Sequence, residues 1–125
     1  MSQIRFRMNA IDKIYSNKVG ISFFWKKQQQ LVTTPKIQLV FRDIGFLLTL
    51  NELKDFSDAC RITEQSQCCD QCVDHQNCRS LLLRTPSEKI DLAISKDELE
   101  QVQELINGTI FRVELQHWVT NSGLN

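Results

Sequence analysis

The sequence predicts an α+β fold: an antiparallel sheet that carries two helices on one face, built from a pseudo-duplicated β-β-α unit. Three observations support this prediction. Several short segments alternate apolar and polar residues, which is typical of half-buried strands. Two segments have the apolar spacing of amphipathic helices, and each begins with a capping-box pattern. The order strand, strand, helix occurs twice in succession.

Size and composition are those of a single globular domain, residues 1–125. Of the 125 residues, 42% are hydrophobic and 24% are charged, which is enough for one apolar core. Residues 1–7 contain two arginines but lack the apolar segment of a signal peptide. No apolar run approaches the ~20 residues that span a bilayer. We therefore expect a cytoplasmic protein that has no membrane partner and whose thiols stay reduced.

The first third of the chain predicts two strands. Residues 3–8 alternate apolar and polar side chains, and residues 19–25 are apolar and rich in β-formers. Residues 10–15 fit either a short helical turn or a strand. The polar residues 26–30 predict a solvated loop or a strand end.

The first β-β-α unit begins with a predicted hairpin. Residues 37–41 and 44–50 alternate, and residues 42–43 predict a tight connection between them. Thr49 and Glu52 then fit a capping box, in which each side chain bonds the backbone amide of the other. We expect a helix from here to the cysteine-rich segment.

The second unit follows the same order. Strands are predicted at residues 81–83 and 90–94, and Ser95 and Glu98 form a second capping-box pattern before an amphipathic helix. Gly108 predicts the end of this helix, because glycine readily takes the left-handed conformation of a C-terminal cap.

A last strand is predicted at residues 111–117. Its apolar face includes His117, for which we expect partial burial against the core.

The two units align without a gap at a spacing of 46 positions. Thr49 then falls on Ser95, and Glu52 falls on Glu98. We interpret residues 36–62 and 80–107 as the two repeat units, and residues 63–79 as a cysteine-rich connector between them.

The hairpin turn and the first helix also carry a resemblance. The turn has the sequence Phe41-Arg42-Asp43, and the helix contains Glu52-Leu53-Lys54-Asp55-Phe56. The unit from residue 37 to 56, about a fifth of the chain, resembles small uncharacterised α+β domains of Bacteroidota bacteria. Those domains have Phe-Gly-Asn at the turn of a hydrophobic hairpin and a Glu-Phe-x-x-Phe helix. The turn glycine is absent here, and the resemblance implies no known activity.

The connector holds the most distinctive chemistry of the sequence. The candidate zinc ligands are Cys69, Cys72, His75 and Cys78, with Cys60 or Cys68 as a substitute. Three thiolates and one imidazole form a common structural zinc set. A tetrahedral ion needs sulfur atoms roughly 3.8 Å apart, whereas a helix would spread these four residues over about 13.5 Å. The segment must therefore fold back on itself to hold one ion.

Other interpretations of the cysteines stay open. Their spacing supplies three or four thiolates for an iron–sulfur cluster, although it does not match common ferredoxins. Cys68-Cys69 and Cys69-x-x-Cys72 suit reversible disulfides, but the neighbouring Asp70 and Asp74 raise the pKa of a thiol and so disfavour a nucleophilic thiolate. Unliganded thiols, with Cys60 in the core, are the remaining interpretation.

Charge is unevenly distributed along the chain. Residues 1–42 contain eight Lys and Arg residues against the single acid Asp12, while the net charge of the whole chain is zero. A basic surface would suit nucleic acid. Charge complementarity between the two parts of the fold, or across a dimer, explains the same pattern and is the interpretation that we favour.

The sequence therefore predicts a small non-enzymatic binding or regulatory domain that zinc in the cysteine-rich loop would stabilise. A thiol-dependent redox protein is the enzyme-class alternative. A nucleic-acid-binding module that uses the basic N-terminal third is another. We expect an unidentified protein partner, and edge strands near both ends favour a homodimer.

Overall fold

A computed structural model describes residues 9–65, residue 79 and residues 81–121. The predicted strand at residues 3–8 lies outside them. The described elements are β1 (Ile11–Ser16), β2 (Gly20–Trp25), α1 (Lys26–Leu31), β3 (Ile37–Phe41), β4 (Ile44–Leu48), α2 (Leu50–Glu64), β5 (Leu81–Arg84), β6 (Asp91–Ile94) and α3 (Lys96–Asn121). This order of strands and helices confirms the α+β class.

The described strands form two antiparallel sheets where the sequence predicted one. The first sheet has four strands in the order β1-β2-β3-β4, and the second pairs β5 with β6. Each strand of the four-stranded sheet pairs with its neighbour along the chain, and α1 lies in the connection between β2 and β3. Residues 10–15, for which the sequence left a helical turn or a strand open, lie mostly in β1.

The predicted β3–β4 hairpin is confirmed. Phe41 pairs with Ile44, so that Arg42 and Asp43 alone make the turn. Arg42 has a φ of 54°, which is the left-handed conformation that glycine adopts without steric cost. The resemblance proposed from the sequence would place glycine at this position, which Arg42 occupies.

The main core lies on one face of the four-stranded sheet, under α2 and α3. On this face Ser22 pairs with Leu39, and Leu39 pairs with Phe46. Leu39 and Phe46 belong to one buried cluster with the inner residues of both helices. Because side chains alternate along a strand, Phe23 and Val40 point to the opposite face, where they form a second cluster with Ile11.

Both predicted capping boxes are present. In α2, the Glu52 amide donates to Thr49 Oγ1 at 3.1 Å, and the Thr49 amide donates to the Glu52 carboxylate at 2.9 Å. In α3, the Glu98 amide donates to Ser95 Oγ at 3.1 Å, and the Ser95 amide donates to the Glu98 carboxylate at 2.9 Å. Each exchange satisfies backbone donors that a helix start leaves unpaired.

The helices α2 and α3 bury matching positions. Each buried residue of α2 has a buried counterpart 46 positions later in α3. The pairs are Leu53 and Leu99, Phe56 and Val102, Cys60 and Ile106, and Thr63 and Thr109. A duplicated unit would produce this agreement. Since the two hairpins belong to different sheets, the duplication stays a prediction, and so do the unit bounds 36–62 and 80–107 and the connector 63–79.

Two predictions for the secondary structure are wrong. Residues 26–30 lie in the short helix α1. The second helix continues through Gly108 to Asn121, so the strand predicted at residues 111–117 is helical. His117 is accordingly an exposed residue of α3 rather than a half-buried strand residue.

Gly108, at which the sequence predicted the end of the helix, lies inside α3 and packs against β1. A Cβ atom at this position would come within 2.7 Å of the Tyr15 ring. Glycine is therefore required here for the close approach of β1 to α3, and it keeps a helical backbone. The ring is held in place by the hydrogen bond from its hydroxyl group to Glu104, and the Arg112 guanidinium lies 5.5 Å from the ring centroid.

The long helix α3 has 26 residues. Among the helices that the structure describes, none combines sufficient length with the apolar character required to cross a membrane.

Candidate functional site

The proposed zinc ligands of the connector lie outside the described residues. This applies to Cys68, Cys69, Cys72, His75 and Cys78. Within residues 9–65, 79 and 81–121, no group of three or more His, Cys, Asp or Glu side chains could hold a metal ion. The zinc hypothesis therefore gains no support from the structure.

Cys60, the substitute ligand, is a core residue. Its side chain is fully buried on the inner face of α2 and belongs to the main apolar cluster. Burial, with a smaller contribution from the charge of Glu64, raises the pKa of the Cys60 thiol to about 12. A thiol in this environment stays protonated and is a poor metal ligand or nucleophile.

The basic residues of the first third are spread over several elements. The described lysines Lys13, Lys18, Lys26, Lys27 and Lys36 are exposed on β1, the β1–β2 turn, α1 and the residue before β3. Arg42 is half-buried and forms an ion pair with Glu98, to which Arg79 also donates at 3.2 Å. This pairing joins a basic residue of the first third to an acid of α3, as charge complementarity within one fold requires.

A cleft lies beside the start of α2 among the residues that the structure describes. Its volume is about 560 Å³, within the range of sites that hold small organic ligands. It is bounded by β2, α1, the connection from α1 to β3, the start of α2 and the last turns of α3. The lining residues are Phe24, Gln29, Thr33, Thr34, Pro35, Ile37, Thr49, Leu50, Val113, Gln116, His117 and Thr120.

The apolar part of this lining comes from the edges of the core. Ile37 is only 2% exposed, while Phe24, Leu50 and Val113 are half-buried. Phe24, Leu50 and Val113 also pack against the main cluster. These side chains form an apolar floor that the surrounding core holds in position.

The polar part of the lining is made of hydroxyl and amide groups around this floor. Three of these groups are already engaged within the protein. Thr49 Oγ1 accepts the Glu52 amide, Thr120 Oγ1 donates to the Gln116 carbonyl at 2.9 Å, and Gln29 Nε2 donates to the Asp12 carboxylate at 3.4 Å. Thr33, Thr34 and Gln116 are exposed at the rim. Their neutral side chains can both donate and accept hydrogen bonds to a ligand.

The charge at the start of α2 is balanced within the protein. The Thr49 backbone amide and then the Thr49 hydroxyl group, through their hydrogen bonds with Glu52, lower the pKa of its carboxyl group, which favours its ionised form. A helix start carries a partial positive charge, and the Glu52 carboxylate compensates it beside the cleft.

Sequence reasoning did not assemble this cleft. It interpreted Thr49 only as a helix cap. His117 was singled out, but as a half-buried strand residue. The lining residues come from distant segments, and no local spacing relates them, so the sequence offered no signal for the site.

Comparison with known proteins gives no matching family model, no matching curated protein and no matching solved structure.

Proposed function

We propose that this chain is a non-enzymatic binding domain whose ligand occupies the cleft beside the start of α2. The observation that carries the proposal is the cleft itself, about 560 Å³ in volume, with an apolar floor and a rim of neutral hydrogen-bonding groups. Sites of this size and composition typically bind small organic molecules.

The contacts that fix the walls of the cleft support the proposal. Because the cleft is already formed, few side chains must be ordered when a ligand binds, and the entropy cost of binding is small. The capping box of Thr49 and Glu52 fixes the first turn of α2. The Lys54 ammonium group lies 3.0 Å from the Glu114 carboxylate and links α2 to the part of α3 that lines the cleft. Further along, Ser57 donates to Asn107 at 2.7 Å.

The test is a screen of small-molecule fragments by amide chemical shifts of the ¹⁵N-labelled full chain. We expect the fragments that bind to shift the amides of the lining residues, including Leu50 and Val113. Thr33→Trp places an indole at the mouth and should remove these shifts. Gln30→Trp adds the same ring at an exposed position of α1 that does not line the cleft, and it should leave them unchanged.

The opposite results would contradict the proposal. Shifts that are confined to other surfaces, or that are equally strong in Thr33→Trp, would show that the cleft is not the binding site.

Zinc in the connector remains a second part of the proposed function that rests on the sequence alone. Metal analysis of the anaerobically purified chain tests it, with Cys69→Ser and Cys72→Ser as controls. We expect about one zinc ion per chain and its loss in both variants. Full reactivity of the connector thiols without bound metal would refute this part.

A further inference from the structure

We infer that the ligand of the cleft is an uncharged small molecule with an apolar body and a hydrogen-bonding head group. This inference rests on the proposed function, and it names the class of ligand for the same site.

The lining excludes formal charge almost completely. Of its twelve side chains, none is Asp, Glu, Lys or Arg, and His117 is the single ionisable one. A charged ligand would lose hydration on entering the cleft without gaining an opposite charge, and such desolvation is costly. A neutral ligand avoids this cost.

The start of α2 does not change this conclusion. A helix start attracts anions through its partial positive charge. The Glu52 carboxylate already accepts the Thr49 amide at 2.9 Å and supplies a full negative charge at the same place. The charge of Lys36 also acts on Glu52 and lowers the pKa of its carboxyl group. An anionic ligand would therefore meet a carboxylate with its own cationic neighbour rather than an open helix start.

The two parts of the lining define the two parts of the ligand. Phe24, Ile37, Leu50 and Val113 offer an apolar surface to the body of the molecule. Thr33, Thr34 and Gln116 stand at the rim, where they can bond a hydroxyl or amide head group.

Two fluorescent probes of matched shape test the class of ligand. N-phenyl-1-naphthylamine is neutral, and 1-anilinonaphthalene-8-sulfonate adds one sulfonate group to the same ring skeleton. Each is titrated into the full chain at pH 8, and the Kd is taken from the fluorescence increase. We expect saturable binding of the neutral probe with a Kd at least about tenfold lower than that of the anion. Thr33→Trp should raise the Kd of the neutral probe about tenfold, whereas Gln30→Trp should leave it unchanged.

Three outcomes would overturn the inference. The anion could bind as tightly as the neutral probe, the neutral probe could fail to bind saturably, or its binding could be insensitive to Thr33→Trp. The fragment screen distinguishes failure of this inference from failure of the proposed function. Charged fragments that shift the cleft amides would support the cleft as the binding site and would refute only the neutral ligand class.

A second copy of the chain is the competing occupant, and sedimentation velocity at several protein concentrations detects it. A dimer that dissociates as the neutral probe binds, and that is absent in Thr33→Trp, would show that another protomer fills the cleft. That result would also overturn the inference. We expect the sedimentation coefficient to be the same with and without the probe.

Discussion

The hydroxyl groups of Ser22 and Thr109 lie 2.6 Å apart, and neither residue is exposed to solvent. Thr109 also donates to the Leu105 carbonyl at 2.7 Å, so its oxygen accepts the proton of Ser22. The pair joins the middle of β2 to the middle of α3 across an otherwise apolar interior. It thus fixes where α3 lies on the sheet, and with it the wall of α3 that lines the cleft.

Removal of one hydroxyl group from this pair should destabilise the protein. Thr109→Val keeps the shape of the side chain but leaves Ser22 with the Tyr15 carbonyl, 3.4 Å away, as its acceptor. We expect the free energy of unfolding in urea to fall by about 1–2 kcal/mol. The double variant Thr109→Val with Ser22→Ala should lose about 1 kcal/mol less unfolding free energy than the sum of the losses in the two single variants. Additive effects would show that the two hydroxyl groups are not coupled.

Gly108→Ala should destabilise the protein although alanine favours helices. In an open helix this change is stabilising by about 1 kcal/mol. Here the added Cβ would lie 2.7 Å from the Tyr15 ring, so we expect a lower melting temperature. In a Tyr15→Ala background the three ring atoms nearest to this Cβ are removed, and the same substitution should raise the melting temperature. Stabilisation by Gly108→Ala in both backgrounds would contradict the close packing.

The parts of the fold that local signals control were predictable from the sequence. The alternation of apolar and polar residues predicted β3 and β4. The spacing of Thr49 to Glu52 and of Ser95 to Glu98 predicted where α2 and α3 begin. These features need only neighbouring residues. The role of Gly108 was not predictable, because its packing partner Tyr15 is distant in sequence and a glycine at this spacing is locally typical of a helix end.

The site was less predictable than the fold for the same reason. The sequence drew attention to cysteines that are near each other along the chain, and one of them, Cys60, is a core residue. The cleft arises only when Thr33, Leu50 and His117 come together around the core. Their residue types are ordinary on a protein surface, so no motif marks them.

Substitutions of Arg42 test whether the hairpin turn requires a left-handed backbone conformation. Arg42→Gly and Arg42→Ala both remove the ion pair with Glu98. Only glycine adopts a φ of 54° without steric cost. We therefore expect Arg42→Gly to be more stable than Arg42→Ala by about 1 kcal/mol in chemical denaturation. Equal stability of the two variants would mean that the turn relaxes to another backbone conformation.

Glu98 should contribute more to stability than its counterpart Glu52. Both carboxylates close a capping box with the same 2.9 Å hydrogen bond, but Glu98 also accepts Arg42 and Arg79. Glu98→Gln keeps an acceptor for the Ser95 amide and removes the charge. We expect it to lower the free energy of unfolding by about 1 kcal/mol, and Glu52→Gln to lower it less. The difference should shrink in 1 M NaCl, and a salt-independent difference would assign it to packing instead.

The buried Cys60 thiol should lower the free energy of unfolding at alkaline pH, because its pKa is higher in the folded than in the unfolded chain. The folded thiol has its pKa raised from the ordinary 9.0 to about 12, so the unfolded chain ionises first as the pH rises. The contribution to stability is therefore complete below pH 9 and is lost between pH 9 and 12, with a slope of about 1.4 kcal/mol per pH unit. Cys60→Ala lacks this thiol, while its other titrating groups are the same. The difference in unfolding free energy between the wild type and Cys60→Ala, measured in urea from pH 7 to 11, should be constant up to about pH 9 and then decline. A difference that stays flat to pH 11 would mean that the Cys60 thiol is not held protonated by burial.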